Sequence, residues 1–269
     1  MKLSKFKRYP ISYYGGKNQM LKYLLPLIPK HELYCEPFVG GGAKFWAKEP
    51  SKIEVINDKN GFITNFYKVI KANFDALANK IKVTLHSRQS YKEALLIYKM
   101  PEIHCEIDKA WAMWVLANMS YGSILGAGFG YNKKTKNSCA SKVNFKRDLF
   151  EHTDFLKKRL ENTTIEHSEA HEIIYRFDTK DTYFYIDPPY IDSHQGHYEG
   201  YNSDDFERDL TCLSKIKGKF LLSSFDSDIL KKYVKNNNWH QIKIERSMSM
   251  INNTRKKIEV LTANYPIIL

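Results

Sequence analysis

Cysteine is sparse and scattered in this chain of 269 residues: its four copies, Cys35, Cys105, Cys139 and Cys212, form no CxxC pair. Neither a zinc site nor a disulfide framework is indicated, which fits a reducing compartment. No apolar run is long enough to span a bilayer, and the N-terminal "MKLSKFKRYPISYYGG" has no apolar signal core. These absences predict a soluble, cytoplasmic protein with no membrane partner. Nine histidines are present, yet no two have ligand spacing within a helix, so no metal is expected. There is also no internal repeat and no low-complexity linker.

What is present supports a full hydrophobic core, since 43% of the residues are apolar. Lysine and arginine number 42 against 30 acids, a formal charge of +12 that favours a polyanionic partner. A proteome rich in lysine would give the same excess. Aromatic residues make up 14% and include 18 tyrosines, suited to stacking on nucleic acid or to filling a core.

Periodicity gives an α/β order. "NQMLKYLLPLIP" has helical spacing, and "HELYCEPFVGGGAKFWAKE" reads as strand, glycine-rich turn and helix. "KIEVIND" is a strand ending in an acid, and "NGFITNFYKVIKANFDALANKI" one amphipathic helix. From 83 to 162 the texture changes. "CEIDKAWAMWVLANMSYGS" is a strong helix, but "ILGAGFGYNKKTKNSCASKVNFKR" has no sustained period and suits an inserted surface region. Strand, helix and the strand "TYFYI" follow, then further alternation and a closing pair of strands, "HQIKIERSMSM" and "KKIEVLTANYPI". Such alternation predicts a mostly parallel sheet closed by an antiparallel hairpin.

Two constellations carry chemistry. In "EPFVGGGA" the glycines follow a strand and open a helix, where a ligand can approach backbone N–H groups; a tight strand-to-helix turn explains the same residues. Asp58, eighteen positions after Gly40, ends the second strand and is placed to accept ribose hydroxyls of a nucleoside cofactor. Then "DPPY" follows a buried strand. Tandem proline removes backbone donors and holds its carbonyls outward, so Asp187, Pro188 and Pro189 form a rigid corner of acceptors suited to an exocyclic amine. Tyr190 offers a face on which a flipped base can stack.

Taken in order, "YYGGK", "EPFVGGGA", "IND" and "DPPY" resemble the Dam-type, α-group family of S-adenosylmethionine-dependent DNA adenine-N6 methyltransferases, across most of the chain. The resemblance implies a Rossmann-like methyltransferase sheet with an inserted, largely helical target-recognition region at 83–162, the catalytic domain being 1–82 and 163–269. It implies S-adenosylmethionine as cofactor, contacted by Tyr13 and Lys17, by Glu36, Pro37, Phe38, Gly40, Gly41 and Gly42 around its methionine part, and by Asp58 at the ribose. Glu169 and Ala170 of "HSEA" resemble the site for its adenine, and Asp187 lies beside both cofactor and amine. Catalysis falls to Asp187, Pro188, Pro189 and Tyr190. Tyr13 stands where tryptophan is commoner, and the mid-chain stretch departs from the family's, so no recognition sequence is carried over.

The implied partner is double-stranded DNA, with room for a cognate restriction endonuclease in the same system and for a monomer or weak dimer. Lys133, Lys134, Lys136, Lys142, Lys146 and Arg147 are candidate phosphate contacts or, equally, a solvated loop. Tyr198 and Tyr201 in "GHYEGY" are candidate wedges on a loop that closes on the base. Two other readings stay open: an RNA base-amine methyltransferase, because the same corner suits guanine N2, and an inactive DNA-binding module on a methyltransferase fold.

Overall fold

The computed structural model describes residues 9–131, 139–151, 154–190, 201–247 and 256–268. In chain order its elements are α1 (Leu21–Leu24), β1 (Leu33–Glu36), α2 (Ala43–Ala47), β2 (Ile53–Asn57), α3 (Gly61–Ala72) and α4 (Phe74–Lys82). There follow α5 (Arg88–Lys99), α6 (Glu106–Met119), α7 (Cys139–Glu151), α8 (Phe155–Leu160), β3 (Thr163–Glu166) and α9 (Ala170–Arg176). The chain closes with β4 (Thr182–Ile186), α10 (Ser203–Leu213), β5 (Lys219–Ser224), α11 (Asp228–Asn237), β6 (His240–Ser247) and β7 (Lys256–Ala263).

Packing divides the chain into two units. One comprises Met1–Lys22, Gly40–Pro50 and Asp58–His167; the other Tyr23–Val39, Ser51–Asn57 and Ser168–Leu269. In the first, α6 is the central rod: Ala110 to Ala117 and Met119 are all buried, as expected for a helix that is apolar around its circumference. Helices α3, α4, α5 and α7 pack on it. Phe150 of α7 sits among the rings of Phe74, Phe66 and Trp114, at 5.8, 6.5 and 6.5 Å. The N-terminal segment lies against the same rod: Asn118 Oδ1 accepts the Ser12 N–H at 3.0 Å, and its amide donates to the Pro10 carbonyl at 3.2 Å. Packing thus groups α3 and α4 with the helices beyond residue 83.

Two expectations about helices change. The single amphipathic helix after "IND" is broken at Asn73, whose φ of −134° and ψ of 42° end α3 and start α4. The stretch read as aperiodic contains α7, whose buried positions Val143, Lys146, Leu149 and Phe150 have helical spacing. A lysine at one inward position hides that period from a hydrophobicity reading.

In the second unit the strands are hydrogen-bonded in the order β2-β1-β4-β5-β7-β6. β1 is parallel to β2 and β4, β4 is parallel to β5, and β7 is antiparallel to β5 and β6. The mostly parallel, Rossmann-like sheet with its terminal hairpin is as the sequence predicts. Every residue of β4 is buried, which explains its unbroken aromatic and β-branched run. One face of the sheet, with Cys35, Val55, Phe184, Ile186, Phe220 and Leu222, packs on Ile173, Phe206, Leu210 and Leu230 from the helices. Helix α10 begins at a capping box, Asn202 with Asp205, consistent with the acids read at its start. Because β1 is flanked by β2 on one side and β4 on the other, the chain reverses its direction of advance there. In open α/β sheets, ligands bind at the carboxyl ends of strands at such a point.

Candidate functional site

The sequence-predicted residues fall into two groups. In the first unit, Asp58 reaches back from β2 to the glycine turn: its Oδ2 accepts the Gly40 N–H at 2.8 Å and its Oδ1 the Asn60 N–H at 2.9 Å. Asn60 caps α3 by accepting from Phe62 N–H. Burial pushes the Asp58 carboxyl up to about 6, against the pull of the two amides and of His167. The Gly40 carbonyl accepts the Tyr67 hydroxyl at 2.8 Å.

The glycine run has no room for side chains. Gly40 has φ +47°, and a Cβ there would meet the Tyr13 ring at 3.0 Å. At Gly41 it would meet the Ile11 carbonyl at 3.1 Å, and at Gly42, with φ +64°, the Trp46 indole at 3.0 Å. Protein rings thus pack against the run, Tyr13 at Gly40 and Gly41 and Trp46 at Gly42. Tyr13, Gly40, Gly41, Gly42 and Asp58 are brought together. Lys17 is buried and donates to the Gly15 carbonyl at 3.3 Å.

In the second unit, Glu36 ends β1, buried, and accepts the Tyr34 hydroxyl at 2.5 Å. Asn57, 1% exposed, joins two motif segments: its amide donates to the carbonyls of Pro37 and Ser168 at 2.8 and 3.0 Å, and its Oδ1 accepts the Ser168 N–H at 2.9 Å. That bridge brings the Glu36–Phe38 turn beside Glu169 and Ala170, which begin α9. Phe38 stands edge-on to Tyr201 at 5.9 Å.

The parallel register Cys35↔Phe184 carries β4 out beside Glu36. The buried Tyr185 phenol, held well above its usual range by burial, lies in the fields of Asp187, Glu36 and Glu259. Tyr190 donates its hydroxyl to Glu259 and stands 3.4 Å from Asp187 Oδ1. Its ring packs on Phe225 at 4.3 Å. Ser223 donates to the same Glu259 oxygen at 2.6 Å. Burial, then the charges of Asp187 and Glu259, push the Tyr190 phenol far up, so it remains a protonated donor. Asp187, Pro188, Pro189 and Tyr190 thus form a half-buried corner at a strand end.

Among the DNA candidates, Lys133, Lys134, Lys136 and Tyr198 lie outside the described residues. Lys142 is exposed on α7. Lys146 departs from expectation: it is 5% exposed, donates to the Tyr9 carbonyl and lies over the Tyr9 ring at 3.1 Å. Its ammonium caps a backbone carbonyl, where the sequence left a phosphate contact and a solvated loop open. Arg147 likewise gives Nη2 to the Thr84 carbonyl. Tyr201 is anchored, its hydroxyl donating to Asp209 at 2.8 Å; burial pushes that acid up to about 7.

Sequence reasoning missed Asn57, Ser223 and Glu259. Asn57 stands in the quoted "IND", and a polar residue ending a buried strand is its signal. Glu259 is an acid inside an apolar strand, a pattern that marks a buried carboxylate in need of donors.

A model of the D12 class N6 adenine-specific DNA methyltransferases matches residues 13–248, a span holding both groups. The chain is 28% identical to the Type II methyltransferase M1.LlaDCHI of Lactococcus lactis subsp. cremoris, over 93% of each chain. It is 23% identical to the DNA adenine methylase of Salmonella typhi, over 95% of this chain and 94% of that one. It is 25% identical to the Type II methyltransferase M.MjaIII of Methanocaldococcus jannaschii, over 95% of this chain and 98% of that one.

The Asn57 bridge generates a prediction. Asn57→Ala leaves two carbonyls and an N–H without that partner and should lower unfolding stability by about 1–3 kcal/mol, the cost of orphaned buried polar groups. Urea denaturation measures it. A change under ~0.5 kcal/mol, typical of a surface site, would show that other contacts hold the two turns.

Proposed function

Because the chain belongs to the D12 class of N6 adenine-specific DNA methyltransferases, we propose that it transfers the methyl group of S-adenosylmethionine to the N6 amine of adenine at specific sites in double-stranded DNA. The observation that carries this reading is the corner at the end of β4, where Asp187, two donor-free prolines and Tyr190 follow a fully buried strand. The Asp187 carboxylate and the outward proline carbonyls accept both N–H groups of the amine, drawing its lone pair out of conjugation. Asp187 need not be a strong base, since the nitrogen gives up its proton only after turning cationic. Tyr190 stacks the base that has left the duplex.

The residues suit the cofactor. Asp58 uses one lone pair of each oxygen on backbone amides and keeps acceptor capacity for ribose hydroxyls. Buried Trp46 Nε1 meets no acceptor among the described residues and lies at the glycine turn. Tyr13, Lys17, Glu36, Phe38, Glu169 and Ala170 complete the proposed set. When bound, S-adenosylmethionine supplies a methyl group already activated on a sulfonium, so the protein's part is positioning.

The region 83–162 is proposed to recognise the target. Its turn after α6, closed by Tyr121 N–H to Gly128 O at 2.8 Å and Gly130 N–H to Met119 O at 2.7 Å, leaves Tyr121 and Tyr131 exposed. Exposed rings beside a basic stretch suit base contacts more than phosphate contacts.

Three outcomes test the proposal. With duplex DNA and methyl-labelled S-adenosylmethionine, label is expected in N6-methyladenine; label only in cytosine or in RNA guanine would refute it.

The second outcome is a pH dependence. The Asp58 carboxyl, raised from 3.8 to about 6 by burial, favours the fold most when protonated, and that contribution is lost as pH rises through 6. Ribose hydroxyls donate to the ionised form, so cofactor affinity should be flat above about pH 6 and fall about tenfold per unit below it. Calorimetry of the wild type and of Asp58→Asn should show the slope only in the wild type; equal slopes would exclude Asp58 as the ribose acceptor.

Thirdly, exchanging residues 120–138 for the corresponding stretch of a relative with another target should change the methylated motif, read by single-molecule sequencing. An unchanged motif would place recognition elsewhere.

A further inference from the structure

The hydroxyl of Tyr190 ends on a carboxylate that no motif contains. Glu259 lies in β7 and is 1% exposed, while its second donor, Ser223 of β5, is fully buried. These strands are hydrogen-bonded to each other, with Ser223 opposite Leu261 and Ser224 opposite Val260. The acceptor is therefore fixed to the sheet, whereas Tyr190 stands beyond the end of β4 on a segment with no ladder of its own. An ionised carboxyl is an acceptor only, and here one oxygen takes both hydroxyls.

We propose that Glu259, with Ser223 behind it, is a positioning residue that holds the hydroxyl end of the Tyr190 ring in place and so fixes the direction of the ring's long axis. The inference rests on the reading of Asp187 to Tyr190 as the amine-gripping corner. The tether at the hydroxyl fixes where the ring's long axis points, and packing on Phe225 at 4.3 Å restrains rotation about that axis. Stacking a flipped base is a demand on that orientation, because a displaced platform offers the amine at the wrong angle to its acceptors. Fold stability gives no comparable reason for the acid. A buried carboxylate costs more than a well-packed apolar residue of its size, so its presence points to what it holds. The hydroxyl also stands 3.4 Å from Asp187 Oδ1, so the same tether keeps the phenol beside the carboxylate that accepts the amine.

The test is a double-mutant cycle of Glu259→Gln with Tyr190→Phe, read twice. In the ligand-free protein, ring-labelled tyrosine spectra report the position and mobility of the Tyr190 ring through its chemical shifts and line widths. With DNA and cofactor, kcat and KM for each substrate are measured. Glu259→Gln keeps an amide oxygen that can accept but loses the charge that strengthens both hydrogen bonds, and should shift and broaden the Tyr190 ring signals and lower kcat by roughly ten- to a hundredfold, with KM for the cofactor within about twofold. In the Tyr190→Phe background it should cost almost nothing more, because there is no hydroxyl left to hold. Ser223→Ala, the milder change should Glu259→Gln not fold, is expected to act in the same direction with a smaller effect. Unchanged Tyr190 ring signals in both variants, or an equal kcat loss with and without the Tyr190 hydroxyl, would overturn the role. Failure of the wild type to methylate DNA would count against the reading of the corner, while the ring spectra still decide the positioning role.

Discussion

A carboxylate withdrawn from water must be met by donors, and in this protein those donors come both from close by in the chain and from far along it. Asp58 is met by the amides of Gly40 and Asn60, Glu36 by Tyr34, Asp209 by Tyr201 and Glu259 by Tyr190 and Ser223. Three of these pairings tie down an irregular segment: the glycine turn to Asp58, the chain after position 200 to α10, and the proline corner to β7. There the acids act as fasteners.

The same requirement gives the site its electrostatic character. Tyr185, Tyr190 and Tyr34 are all pushed far above their usual range, burial being the first cause in each case. They remain neutral donors throughout the physiological range, and the acids beside them remain the acceptors. A site proposed to bind an amine and a sulfonium without losing its acceptors is well served by phenols that do not ionise.

Much of this was legible from the chain. The buried β4, the corner after it, the acid after β2 and the closing hairpin follow from strand periodicity and from proline chemistry. What was hidden has physical causes. Lys146 at an inward position masks α7, because a lysine stem can pack while its ammonium finds a carbonyl. Sequence could not say that the rings packed against the glycine run would be Tyr13 and Trp46. The tetrapeptide "KIEV" occurs at 52–55 and again at 257–260. Both glutamates are buried, yet Glu54 accepts the Ser51 N–H locally at 3.1 Å whereas Glu259 holds Tyr190. Only the strand order distinguishes them.

The N-terminal segment leading to Tyr13 is bolted to the first unit by Asn118 of α6 and Lys146 of α7. Both side chains belong to the stretch proposed to choose the target, and Tyr13 to the set proposed for the cofactor. Inheritance of a new specificity by recombination is constrained accordingly. A donor stretch that lacks an amide at 118 and a long cation at 146 would arrive with its own target preference but would loosen the seat of an aromatic ring outside it. Lineages that trade whole recognition regions should therefore trade the first dozen residues with them, and those that evolve by small changes in the turn after α6 need not.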